Sequence, residues 1–244
     1  MVKLAKPQIT QDDMMKLLDS LYSKSIQGVD KVSVPINVLA DDYLQKNKSV
    51  EAAAKSFINY QIAKCTTSGF VTGLGGLITM PVSLPANIGS VLYVQMRMIA
   101  CLAYMGGYDT ESDQVQTLIY ACLAGISVDQ VLKNVGVQFG TKFTMAMVRK
   151  IPGSVLTKIN QKVGFRFITK FGSKGLINIG KAVPVVGGVI SGGFDFAETK
   201  IIAKRAYNMF IEGDFTVLSE EQKKTAEYIE DIIDEMVVEV EVEE

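Results

Sequence analysis

The sequence predicts an all-α, multi-helix single domain built around a central pair of Gly/Pro-rich apolar helical hairpins. Three observations predict it. Apolar residues recur at helical spacing along most of the 244 residues, and strict alternation is confined to residues 236–244. Residues 65–96 hold no formal charge, although 21% of the chain is charged. That gap, broken by Pro81 and Pro85, marks a segment withdrawn from water. A second apolar Gly-rich segment, residues 182–194, repeats the order of glycine, proline, small residues and a following helix.

The elements follow in order. Thr10 precedes a helix whose apolar face is Met14, Leu17, Leu18 and Leu21, ending near residues 25–28. Val34-Pro35 opens a short helix through Tyr43. Ser49 caps a third, with Ala54, Phe57, Ile58 and Ile62 inward. The uncharged stretch divides at Pro81 and Pro85 into a Gly-rich leg, about 69–80, and a longer leg, about 86–105. Asp109 is the expected cap of a helix through Ala124, which Gly125 closes. Ser127 starts the next, running to about residue 150 with disturbance at Gly136 and Gly140. Pro152 opens a helix through Phe171, and a last one covers residues 195–210. These divide the chain into N-terminal helices (1–48), a helical core (49–211) and an acidic terminal helix or tail (212–244).

Composition removes several functions. The chain has no His and no Trp, so the usual neutral-pH proton shuttle and the commonest metal ligand are missing. No Ser or Cys lies beside a plausible base, and no carboxylates cluster at metal spacing. The expectation is a protein that is not an enzyme and uses no catalytic residue, metal or cofactor. Cys65, Cys101 and Cys122 are odd in number and sit in apolar runs, as reduced thiols on the cytoplasmic side of a cell do. The first residues carry charge and lack the apolar core of a secretory signal.

Net charge is −1, but the charges are segregated. Residues 130–194 hold ten basic side chains and no acidic one, whereas residues 212–244 hold thirteen acidic ones against Lys223 and Lys224. Nucleic acid is a poor match, because aromatic platforms and reading motifs are absent.

The longer leg of the uncharged stretch holds Gln95 and Arg97. An arginine near the middle of a membrane span costs at least ~2.5–3.5 kcal/mol. The leg before Pro81 is too short to span. Two independent spans are therefore disfavoured, leaving a shallow re-entrant hairpin or one buried within the protein. Gly69/Gly73 and Gly188/Gly192 suit close helix approach in either case. The Gly-rich runs lack the Lys-Ser/Thr of a phosphate loop.

Within residues 153–171, Lys158, Lys162, Arg166 and Lys170 recur every fourth position, beside Val155, Ile159, Val163, Phe167 and Phe171. Such a basic amphipathic helix suits an anionic membrane surface. Its competing reading is a surface helix that meets the acidic tail, whose Ala226, Ile229, Ile232 and Ile233 also keep helical spacing. Arg97 and Asp195 border the two apolar segments in corresponding places. A buried charge needs a partner, so the expectation is that they face each other or share a polar network with Gln95 and Thr199.

The stretch from Gly69 to Asp109 resembles the signature region of the bacterial EcsC family. The likeness lies in the Leu84-Pro85 break, Arg97-Met98-Ile99-Ala100 with Ala103, and Gly107-Tyr108-Asp109. Residues 183–206 resemble that family's Pro-Gly-Gly region, and the likeness spans roughly residues 50–210. The chain has Ala86-Asn87-Ile88-Gly89 where many relatives have a Thr-rich turn, and lacks their Asn near Asp195. The resemblance implies a helical, membrane-linked protein, accessory to transport or secretion, and no reaction.

The combined expectation is a cytoplasmic protein associated peripherally with the membrane. Lys158, Lys162, Arg166 and Lys170 would contact anionic headgroups, and the hairpin at Pro81 and Pro85 would embed or dock on a membrane protein. The alternative is a soluble helical protein holding a lipid-like or apolar ligand in its core. Oligomeric state stays open.

Overall fold

A computed structural model describes residues 10–65, 86–134, 136, 144–171 and 189–216. The described residues form nine helices packed as one unit, with no strand among them: α1 (Gln11–Gln27), α2 (Ile36–Lys46), α3 (Val50–Cys65), α4 (Ala86–Met105), α5 (Asp113–Ala124), α6 (Val128–Asn134), α7 (Met145–Val148), α8 (Gly153–Phe171) and α9 (Val189–Phe210). The expected all-α fold is what is observed. The leg before Pro81, Pro81 and Pro85 themselves, residues 182–188 of the second segment and the alternating terminus lie outside the described residues, whereas the longer leg of the first hairpin is α4.

The centre is α4. From Leu92 to Met105 almost every side chain is buried, because α4 packs against α1, α2, α3, α5 and α9 on all its sides. A helix apolar all round has no solvent face, and this one is enclosed by protein. α8 lies across α5 and α1 on the far side of that core, with α6 beside it. α1 is fixed at its start by a reciprocal cap. Thr10 accepts from the Asp13 backbone N–H, and the Asp13 carboxylate accepts from the Thr10 N–H. Its buried face is Met14, Leu17, Leu18 and Leu21, as the periodicity predicts.

Two boundaries differ from expectation. Ser112, not Asp109, caps α5: its hydroxyl accepts from the Val115 N–H, while the Asp109 carboxylate closes a turn on the Glu111 N–H. Both residue types cap helices well, and the later one wins because Asp109 already serves the turn. The helix expected from Ser127 to about residue 150 is interrupted. α6 stops at Asn134, Gly136 has φ +75°, and a separate turn, α7, follows at Met145.

Cys101 and Cys122 are fully buried, and removal from water pushes both thiols from 9.0 up to about 12. Above pH 9 the unfolded chain releases these protons and the folded chain keeps them, so stability must fall as pH rises from about 9 toward 12. Burial also raises Tyr22 and Tyr120, which adds in the same direction. The urea midpoint should therefore be lower at pH 10.5 than at pH 7.5, and a Cys101→Ala/Cys122→Ala double variant should show a shallower decline. An identical decline in that variant would mean the thiols are not the cause.

Candidate functional site

α8 carries the basic row, and its own geometry decides where each member points. Four residues of helix turn about 400°, so successive members drift about 40° round the axis. The structure follows this drift. Lys158 and Lys162 are exposed, Arg166 is half-buried, and Lys170 reaches α9, where its ammonium pairs with the Glu198 carboxylate. Three of the four cations are thus exposed, Lys158, Lys162 and Lys170, the last of them ion-paired, and Arg166 is half-buried. The apolar row drifts equally but starts inside: Val155, Ile159, Val163 and Phe167 are all buried.

Phe165 lies on the solvent side one turn beyond Lys162 and is 57% exposed, the most exposed large apolar side chain among the described residues. Sequence reading had placed no weight on it. The signal was available: Phe165 lies seven residues after Lys158 and three after Lys162, hence on their face. Two further exposed cations, Arg149 and Lys150, sit in the turn that leads into α8. Among the described residues, no carboxylate is paired with Arg149, Lys150, Lys158 or Lys162. The outer edge of α8 is therefore cationic, with one exposed aromatic ring just beyond Lys162.

The polar groups on α4 separate into two sets. Gln95 and Arg97 are two residues apart, about 200° round a helix, so they cannot meet the same neighbour. Gln95 donates from Nε2 to the Thr199 hydroxyl of α9 at 3.1 Å, and both are buried. This joins the helices that follow the two Gly/Pro segments. Arg97 goes the other way. Its guanidinium donates to the Ser25 carbonyl at 2.9 Å and to the Val34 carbonyl, where the last turn of α1 meets the loop into α2. The expected shared network of Arg97 with Gln95 and Thr199 is thus corrected. The Asp195 side chain lies outside the described residues. Terminal helix carbonyls lack intrahelical donors and sit at the negative end of the dipole, so they can partner a buried cation without a carboxylate.

Arg205 of α9 repeats this device. Its Nη1 donates at 2.7 Å to the Cys122 carbonyl in the last turn of α5, where Gly125 adopts the left-handed conformation that ends the helix.

Among the described residues, no group of three His, Cys, Asp or Glu side chains is placed to hold a metal ion. No single described helix is long and apolar enough to cross a membrane. α5 and α6 reach that composition only together, across a 115° bend, and both contribute buried faces to the core. No family model, no curated protein and no solved structure matches this chain.

Proposed function

We propose that this protein is a non-enzymatic, peripheral membrane-binding protein of the cytoplasmic face, attaching to anionic lipid through the outer edge of α8. The observation that carries this reading is the exposure of Phe165 on the same helix face as Lys158 and Lys162, one turn beyond Lys162, with no carboxylate paired to either lysine among the described residues. An aromatic ring beside lysines matches the chemistry of a lipid interface: the ring enters the headgroup boundary and the long cationic stems reach phosphates. A lone exposed phenylalanine is ordinary on a protein surface; this one gains meaning from the cations around it. Arg166 and Lys170, turned toward the body of the protein, contribute less. The apolar hairpin at Pro81 and Pro85 would add insertion or a membrane-protein contact, in keeping with the resemblance to the EcsC family and its link to transport.

Vesicle flotation tests the reading. The full chain should float with vesicles containing phosphatidylglycerol and remain below with pure phosphatidylcholine. Lys158→Gln with Lys162→Gln should lower partition onto anionic vesicles about 30-fold, at roughly 1 kcal/mol per surface cation. Phe165→Ser should weaken binding further without changing its dependence on anionic lipid. Equal recovery on both vesicle types would overturn the proposal.

A further inference from the structure

The described chain ends close to this basic edge. Phe215 is buried against Tyr108 and Phe210, with ring centroids 6.5 and 6.1 Å apart. Asp214 then accepts from the Thr216 N–H and hydroxyl, each at 2.8 Å, which holds the last described turn together. Glu212 and Gly213 line the same hollow as Thr144 and Met145. Residues 217–244 therefore leave beside the segment that runs, within a few residues, to Arg149, Lys150 and the start of α8. Lys162 is nine residues into α8, about 14 Å from its first residue. The 28 residues beyond Thr216 span about 42 Å even at helical rise. Reach is not limiting.

Charge and shape agree. Residues 217–244 hold eleven carboxylates against Lys223 and Lys224, and among the described residues the cations at the α8 edge have no ion pair. The segment also sets Ile229, Ile232 and Ile233 at helical spacing beside Glu230, Asp231, Asp234 and Glu235. An acidic, amphipathic partner of that kind complements a cationic face that carries one exposed ring, Phe165. We infer that residues 217–244 dock in cis on the surface formed by Arg149, Lys150, Lys158, Lys162 and Phe165, and that they compete there with anionic lipid. The competition rests on the membrane reading above; the docking does not.

Zero-length carbodiimide coupling on the full chain separates the two. It joins lysine amines to carboxylates already in contact. Coupling of Lys150, Lys158 or Lys162 to the Glu230–Glu235 region should be found by peptide mapping of the monomer at low salt. It should vanish at about 1 M salt, where the screening length falls to about 3 Å. Loss of these couplings is expected in a variant carrying Glu230→Gln, Asp231→Asn, Asp234→Asn and Glu235→Gln. A urea midpoint equal to that of the native chain shows that this variant keeps its fold. Its partition onto phosphatidylglycerol vesicles should rise about tenfold over the native chain, as expected when the local contest for the same cations is weakened. Absence of coupling, or coupling only in a species of doubled mass, overturns docking in cis and leaves the membrane reading intact. Coupling without any gain in vesicle binding by the variant overturns the competition. Coupling in a chain that floats on no anionic vesicle in any variant keeps the docking and removes the membrane reading.

Discussion

Replacing Gly106 with alanine is expected to destabilise the fold severely. Gly106 follows α4, where the chain passes the last turn of α9. A methyl group there would lie 1.9 Å from the Phe210 carbonyl oxygen and 2.9 Å from its carbon. Both obstacles are backbone, so no side-chain rotation relieves the clash. The end of α9 would have to retreat by an ångström or more, opening the aromatic cluster in which Tyr108 meets Phe210 edge-on at 5.3 Å. Overpacking costs about 1–3 kcal/mol and sometimes more, and each lost aromatic pair adds about 0.5–1.5 kcal/mol. The sum, about 1.5–4.5 kcal/mol or more, is a large share of the roughly 5–15 kcal/mol by which a domain is stable. Gly107 is the control. Its φ is +79°, but an added methyl would meet nothing within 4 Å, so Gly107→Ala should cost only the left-handed strain, roughly 1–2 kcal/mol. Urea unfolding of both variants measures the difference. If Gly106→Ala is no worse than Gly107→Ala, the two chain ends do not approach as described.

Replacing Arg97 with methionine should be the second severe change, by about 3–5 kcal/mol. The volume is nearly kept, so the loss reports the guanidinium. Arg97 is only 8% exposed and serves two carbonyls on separate segments, Ser25 and Val34. A hydrogen bond to a charged group contributes about 1.5–3 kcal/mol, and a buried acceptor left without a donor pays its full desolvation. Arg97→Lys should recover only part, because a single ammonium does not offer the planar fork that bridges both oxygens. Chemical denaturation monitored by far-UV circular dichroism gives the ordering native, Arg97→Lys, Arg97→Met. A methionine variant within about 0.5 kcal/mol of native, the range of ordinary surface substitutions, would show that the bridge is idle.

Periodicity made most of the helices legible. Met14, Leu17, Leu18 and Leu21 read as one face and are one face, because an apolar stripe has a single way to leave water. Two helix boundaries were misread where local signals competed. Asp109 and Ser112 both carry cap chemistry, and only the turn geometry chooses between them. The break after Asn134 depends on the backbone of Gly136, and a glycine in sequence does not announce its φ.

The candidate site was half legible for the same reason. Glutamine and threonine in apolar surroundings had to find polar partners, and Gln95 and Thr199 found each other. Which way Arg97 turned could be learned only from its angular separation from Gln95 and from which helix end lay opposite. The spacing of Lys158, Lys162, Arg166 and Lys170 suggested a continuous stripe. A rotation of 40° per step turns it from open solvent at Lys158 and Lys162 toward α9, where Lys170 meets Glu198.

The two arginines that close helix ends have a consequence for how the molecule assembles. Helices normally finish with local signals, a glycine or a nearby cation, so that a peptide can stop where the protein does. Here a side-chain donor to the last turn of α1 comes from 72 residues downstream, and in α5, which Gly125 and Ile126 already close locally, a further donor comes from 83 residues downstream. The Ser25 carbonyl at the end of α1 gains this partner, and the Cys122 carbonyl its second donor, only when a distant part of the chain has arrived. A fragment ending before Arg97 would fray at α1, so these helix ends form cooperatively with the whole architecture rather than ahead of it.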